Sequence, residues 1–316
     1  MNQAVHAEWT KLRTVPETGW LLLALIALTV ALSTTAAAAV TCSSSACGLD
    51  PARISLSGID LGQATVVILA VLALSGEYST SMIRITLAAT PRRITVPAAK
   101  AAVLTGVVLG AGTIAVLASV LAGQLILPGH GFTAAHGHAP LTLADASMLR
   151  AAGGSVLYLA LIALLSLGAA AAVRDSAVAI GVVLGLLYIF PVIAQVVTNP
   201  TWRQHLQQIA PMTAGLAIQA TSGLDRLPIS PWRGLGVLAA WTAAALVAGG
   251  MMLQLRDARR RRILFITPAN RRQRNATLLS AGLGADSSGC RIETACAGDP
   301  ARSPRPLPCP SAREYV

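Results

Sequence analysis

Apolar residues run along this chain in six blocks, each bounded by a short polar or charged stretch. The blocks cover about residues 19–40, 56–74, 101–127, 154–173, 177–197 and 234–255. A helix needs about 20 apolar residues to cross the hydrocarbon of a bilayer. The pattern therefore predicts an all-α membrane protein with six transmembrane helices and both termini on one side. A cleaved leader is the other reading of the first block, because the chain starts basic and residues 36–39 are alanines. That block is longer than a leader's apolar core, and Arg13 lies far from the N-terminus, so it reads as a retained span. No lipobox precedes Cys42.

Ahead of the first block, Val5, Trp9 and Leu12 recur at i, i+4 and i+7, and Glu8, Lys11 and Arg13 take the other faces. Residues 1–16 are expected to form an interfacial amphipathic helix, closed by Pro16. Trp9 would sit at the headgroup level, with Lys11 and Arg13 turned to anionic lipid. An ordinary basic flank before a first span is the alternative. After the last block, Arg256 and Arg259 to Arg262 form a stop-transfer cluster that also suits anionic lipid. From about Asn275 the sequence is rich in Ser, Pro, Gly and Ala without periodicity, and a disordered tail is expected. The organisation is thus 1–16 interfacial helix, 17–262 six-span domain, and 263–316 basic and then disordered tail.

Composition agrees with this picture: 54% of the 316 residues are hydrophobic and 12% charged, about half the charge of a soluble domain. The net charge of +11 does not point to nucleic acid, because the basic residues cluster beside apolar blocks. Twelve of them, including Lys11, Arg84, Arg92, Arg93, Lys100, Arg174 and Arg256, flank the N-terminal side of the spans. Five, Arg53, Arg150, Arg203, Arg226 and Arg233, flank the other. Positive charge stays inside, so both termini and the segment 76–100 are expected in the cytoplasm. Cys42 and Cys47 then share an outer loop and are candidates for a disulfide, against two free thiols in a Ser-rich loop. His130, His136 and His138 share another outer loop, but Gly and Ala surround them and no carboxylate is near in sequence, so an exposed loop accounts for them better than a metal site.

Several functions lack their signatures. The chain has no phosphate-cradling Gly-x-x-x-x-Gly-Lys-Ser/Thr loop, no His-Glu-x-x-His, no nucleophile elbow and no Gly-x-Gly-x-x-Gly. The spans hold almost no ionisable residue, and Asp60, Glu77 and Asp175 read as lying at span ends. Ion-coupled carriers need an acid or base inside the membrane, so secondary transport is disfavoured. The repeats Gly106-x-x-x-Gly110 and Gly181-x-x-x-Gly185 permit close helix approach. In a chain this rich in Gly and Ala they identify no dimer seam.

The segment from Gly76 to Lys100 carries both signs of charge between two apolar blocks: Glu77, Arg84, Arg92, Arg93 and Lys100. Thr80 to Ala89 suits a short helix that Pro91 ends, and Pro97 suits the first turn of the next. A solvated loop whose arginines only fix topology is the plain alternative.

In its order the sequence resembles the permease subunits of type-2 ABC exporters, notably their actinobacterial form. The resemblance rests on Glu8-Trp9-Thr10-Lys11-Leu12-Arg13-Thr14, on Gly76-Glu77-Tyr78 through Arg84, Pro91-Arg92-Arg93 and Lys100, on Ser230-Pro231-Trp232-Arg233-Gly234, and on Leu255-Arg256-Asp257-Ala258. It extends to about Ala258; the tail has no counterpart. It implies a multi-pass protein of the bacterial plasma membrane that works as a dimer, here as a homodimer, on two separate ATP-binding subunits. ATP and Mg would sit on those partners, so this chain would be no enzyme and hold no cofactor. Glu77, Tyr78, Arg84, Pro91, Arg92, Arg93 and Lys100 would form the coupling element, flanked by the interfacial helix. The segment before the last span would fold back into the outer leaflet. The apolar, nearly uncharged spans suit an amphipathic or hydrophobic cargo such as a drug, antibiotic or lipid. The alternatives are a non-transporting scaffold or sensor subunit bound to an ATPase, and a secondary transporter.

Overall fold

A computed structural model describes residues 16–42, 48–79, 95–133, 144–173 and 175–252, with positions 6, 9, 10, 14, 142 and 255. The described residues are helices joined by turns, with no strand among them. Six helices are long and apolar enough to cross a membrane: Pro16–Ala39, Pro51–Gly76, Ala98–His130, Ala146–Val173, Ser176–Val196 and Pro231–Met252.

The first span is α1 (Pro16–Ala39). The second is α2 (Pro51–Leu56) running on into α3 (Ile59–Ser79). The third is α4 (Thr95–Ile126), closed by a 3-10 turn at Leu127–His130. Spans four and five are α5 (Ala146–Val173) and α6 (Ser176–Val196). Two short helices follow, α7 (Pro200–Ile209) and α8 (Pro211–Leu216), before the sixth span, α9 (Pro231–Met252). Most predicted blocks match within a few residues. The fourth span starts at Ala146, well ahead of its expected block, and the second begins at Pro51, because the Asp50 side chain accepts from the Ala52 amide at 3.1 Å and caps the helix. Asp-Pro is a helix start that a search for apolar runs passes over. Asp60 therefore lies past the start of the second span, in the first turn of α3.

α5 is the centre of the bundle, with Tyr158, Leu159, Ile162, Ala163 and Leu165 among its buried residues. It packs against α3, α4 and α6. α1 packs on α3 and α4 through the buried stripe Leu25, Thr29, Ser33 and Ala37. Thr29, Ser33 and Ala37 are small, which suits helices in lipid, where association rests on close contact. The Gly58 amide comes near enough to donate to Ser33 Oγ at 3.1 Å.

On the other flank α5 and α9 also approach closely. A Cβ on Gly168 would lie 2.6 Å from the Ala245 carbonyl carbon, and one on Gly249 would lie 2.6 Å from the Gly168 oxygen. Gly106, Gly110 and Gly181 have open space around them, and Gly185 meets only Ile189 of its own helix. The regular Gly-x-x-x-Gly repeats thus stay outside the seams within the chain, and the irregularly placed Gly168 and Gly249 make one.

Overpacking a close seam costs ~1–3 kcal/mol. Gly168→Val should therefore lower the unfolding temperature of the detergent-purified protein, with Gly106→Val as the neutral control. Equal melting of the two variants would contradict the seam.

Candidate functional site

One end of the bundle, here the tail face, holds the ends of α3, α5 and α9 and the start of α4. The opposite end, the loop face, gathers the end of α1, the start of α2, the 3-10 turn after α4, the start of α5 and the segment ahead of α9.

At the tail face Lys100 is 4% exposed, and its Nζ donates to the Ala73 carbonyl at 3.0 Å. A buried ammonium needs such acceptors, and Ala73 lies in the last turns of α3. Lys100 thus ties the two helices that bracket residues 80–94. Glu77 and Tyr78 belong to the backbone of α3, and their side chains are outside the described residues. Arg84, Pro91, Arg92 and Arg93 are outside them too. At the N-terminus Trp9 is helical and half exposed, and Thr10 Oγ1 donates to the His6 carbonyl at 2.9 Å. Lys11 and Arg13 are outside the described residues.

Inside the bundle lies a polar cluster that the sequence pattern did not single out. Gln63 of α3 is fully buried. Its Nε2 donates to the Asp60 carbonyl at 3.0 Å and approaches the Met212 sulfur of α8 at 3.3 Å. Its Oε1 accepts from the hydroxyl of the equally buried Tyr158 on α5. Tyr188 of α6 donates its hydroxyl to the Asp60 carbonyl. Four elements, α3, α5, α6 and α8, meet there through uncharged groups. Charge-based reading misses such a cluster; Gln63 inside an apolar block was its signal.

At the loop face, Asp50 does more than cap α2. Its carboxylate accepts from the Thr221 amide at 2.6 Å, the Thr221 hydroxyl at 2.7 Å and the Ser222 amide at 2.9 Å. Arg150 at the start of α5 donates to the Ala220 carbonyl at 2.7 Å. The chain between α6 and α9 is thereby drawn onto the spans. Asn199 caps α7 by accepting from the Thr201 and Trp202 amides. α7 has no buried residue, whereas in α8 Pro211, Met212, Ala214, Gly215 and Leu216 are buried. The exposed helix thus skirts the bundle and the next one enters it. Trp241 of α9 donates its ring N–H to the Ile209 carbonyl at 3.0 Å, which fixes the corner between them.

Nearby, Cys42 is disulfide-bonded, and its amide donates to the His130 carbonyl at 2.8 Å. Cys47 is outside the described residues, as are His136 and His138. No group of three metal-ligating side chains occurs among the described residues.

No family model matches the chain. No curated protein matches it.

Leaving a buried acceptor unpaired costs ~1–3 kcal/mol, whereas removing both partners costs less. Tyr158→Phe should therefore destabilise the protein more in the native background than in a Gln63→Leu background. Additive melting shifts across this double-mutant cycle would mean that the two groups do not interact.

Proposed function

We propose that this chain is the membrane-spanning permease of an ATP-driven type-2 ABC exporter, with ATP hydrolysed on a separate chain. The observation that carries the reading is the segment between spans five and six. It leaves α6, runs exposed as α7, turns at Pro211 and enters the bundle as α8 against Tyr158 and Gln63. A six-span protein with such a fold-back ahead of its last span fits the permease organisation that the sequence resembles. The Lys100 tie supports it further. By joining α3 to α4 it makes the base of the segment 80–94 one unit, as transmission of a pull requires.

In this reading the tail face is cytoplasmic, as the excess of basic residues there favours. Two copies of the permease, two ATP-binding subunits and anionic lipid complete the assembly in a bacterial plasma membrane. The partner carries the phosphate-binding loop that this sequence lacks. ATP-driven closure of the partners pulls the segment 76–100, and the second and third spans tilt together. The cargo is an amphipathic or hydrophobic molecule, because the helices that would line its path are apolar and nearly uncharged.

Asp60 gives ion-coupled transport its one specific observation, since a carboxylate inside a span is a coupling-site candidate by default. The two readings separate cleanly. In proteoliposomes holding this chain and a P-loop partner, a catalytically dead partner should abolish export. Export that survives the dead partner but fails with Asp60→Asn would favour the second reading.

Within the leading reading, Glu77→Ala and the pair Arg92→Ala/Arg93→Ala should each lower export per ATP hydrolysed by about tenfold, equivalent to ~1.4 kcal/mol of coupling. Membrane insertion should stay unchanged. Normal export by both variants would remove the coupling role from this segment.

A further inference from the structure

The segment between α6 and α9 is held at several points, and two of its attachments differ in kind. Its inner seat is buried: Met212 meets Gln63, and a Cβ on Gly215 would lie 2.6 Å from the Tyr158 ring. A buried, hydrogen-bonded and close-packed contact is costly to break. Its outer attachment lies at the edge of the bundle, where Asp50 and Thr221 are partly exposed and Ser222 is exposed. There one carboxylate takes three hydrogen bonds from residues 221 and 222. Where water is at hand, water can replace such bonds, so they are easier to break than the buried contact. Immediately beyond them Gly223 has φ +62° with open space around it, a left-handed turn that Gly adopts without strain.

The carboxylate is also attached to the part of the bundle that would move. Asp50 caps α2, and Pro51 fixes the chain direction directly after it. α2 runs on through α3 to the base of residues 80–94, so a shift of the second span along its axis displaces the carboxylate against residues 221 and 222.

We propose that Asp50 is a latch. Its carboxylate holds residues 221 and 222 down on the loop face, and displacement of the second span releases them while α8 and the buried residues 217–220 stay seated against α5. Asp50 is thus a positioning residue for export: it sets when the loop face opens and touches no cargo. The inference rests on the function proposed above for its trigger, and on the contacts of Asp50 for its mechanism.

Leu49→Cys and Ser222→Cys flank the latch and leave its bonds intact, because Ser222 contributes only its backbone amide. Cys290, Cys296 and Cys309 are replaced by Ser. The full permease, copurified with its P-loop partner, is treated with a short bis-maleimide at rest and after trapping with ATP and orthovanadate. The cross-link should form readily at rest and fall about fivefold in the trapped state, as a shift between two populations requires. Equal yields in both states would overturn the latch. Asp50→Asn keeps the helix cap but loses the charge, so it should lower the resting cross-link severalfold with no change in thermal stability of comparable size. An unchanged resting yield would also overturn the latch. A preparation that binds no P-loop chain and hydrolyses no ATP would instead remove the proposed function, and the Asp50→Asn comparison would still decide whether the carboxylate holds the segment.

Discussion

The hydrogen bond from the Tyr158 hydroxyl to the Gln63 side chain joins the second span to the fourth where water cannot replace it. Both residues are fully buried, and a polar group in such a place is either paired or costly. The pair fixes the rotation of α3 relative to α5. It also fixes what lies on top of it. The second donor of Gln63 reaches Met212, and Gly215 stands where any larger residue would meet the Tyr158 ring. The seat of α8 therefore follows from the pair, and with it the path of the chain from α7 to α9. Tyr188 brings α6 to the same turn of α3 through the Asp60 carbonyl. Spans two, four and five and the fold-back segment are positioned by one small set of uncharged polar groups.

Around that node the bundle is held by contact and not by hydrophobic drive. α1 offers Thr29, Ser33 and Ala37 to the second span, and α5 and α9 meet at Gly168 and Gly249. The Thr242 hydroxyl also joins α9 to the Leu161 carbonyl of α5 at 3.2 Å, and further polar bonds stand at the two ends, Lys100 to Ala73 on the tail face and Asp50 with Arg150 on the loop face.

The six spans were legible in the sequence because transfer into lipid depends on the sum over a window of residues, which apolar runs display directly. The start of the second span was not, since it depends on the single cap Asp50-Pro51. Lys100 read as a loop cation because its burial depends on α4 beginning at Thr95, a tertiary result. The Gly-x-x-x-Gly repeats carried no packing within the chain, because spacing alone does not say which face of a helix a neighbour occupies. The polar cluster of Gln63, Tyr158 and Tyr188 escaped for the same reason: three uncharged residues from three helices share no local pattern. α7 and α8 carry Asn-Pro and Ala-Pro starts, signals of helix entry that an apolar-run search discards. The residues singled out for coupling, from Arg84 to Arg93, lie outside the described residues, and their role rests on the sequence alone.

The proposed function requires that residues 80–94 meet an ATP-hydrolysing partner. A photo-cross-linking amino acid in place of Arg92 tests it most directly, in cells that express the full chain with its candidate partner. The account predicts one dominant covalent adduct, whose partner peptide maps by mass spectrometry to a chain with a phosphate-binding loop. Adducts to lipid alone, or to a chain without such a loop, while the same probe at the loop-face position Leu49 captures the ATPase, would contradict it.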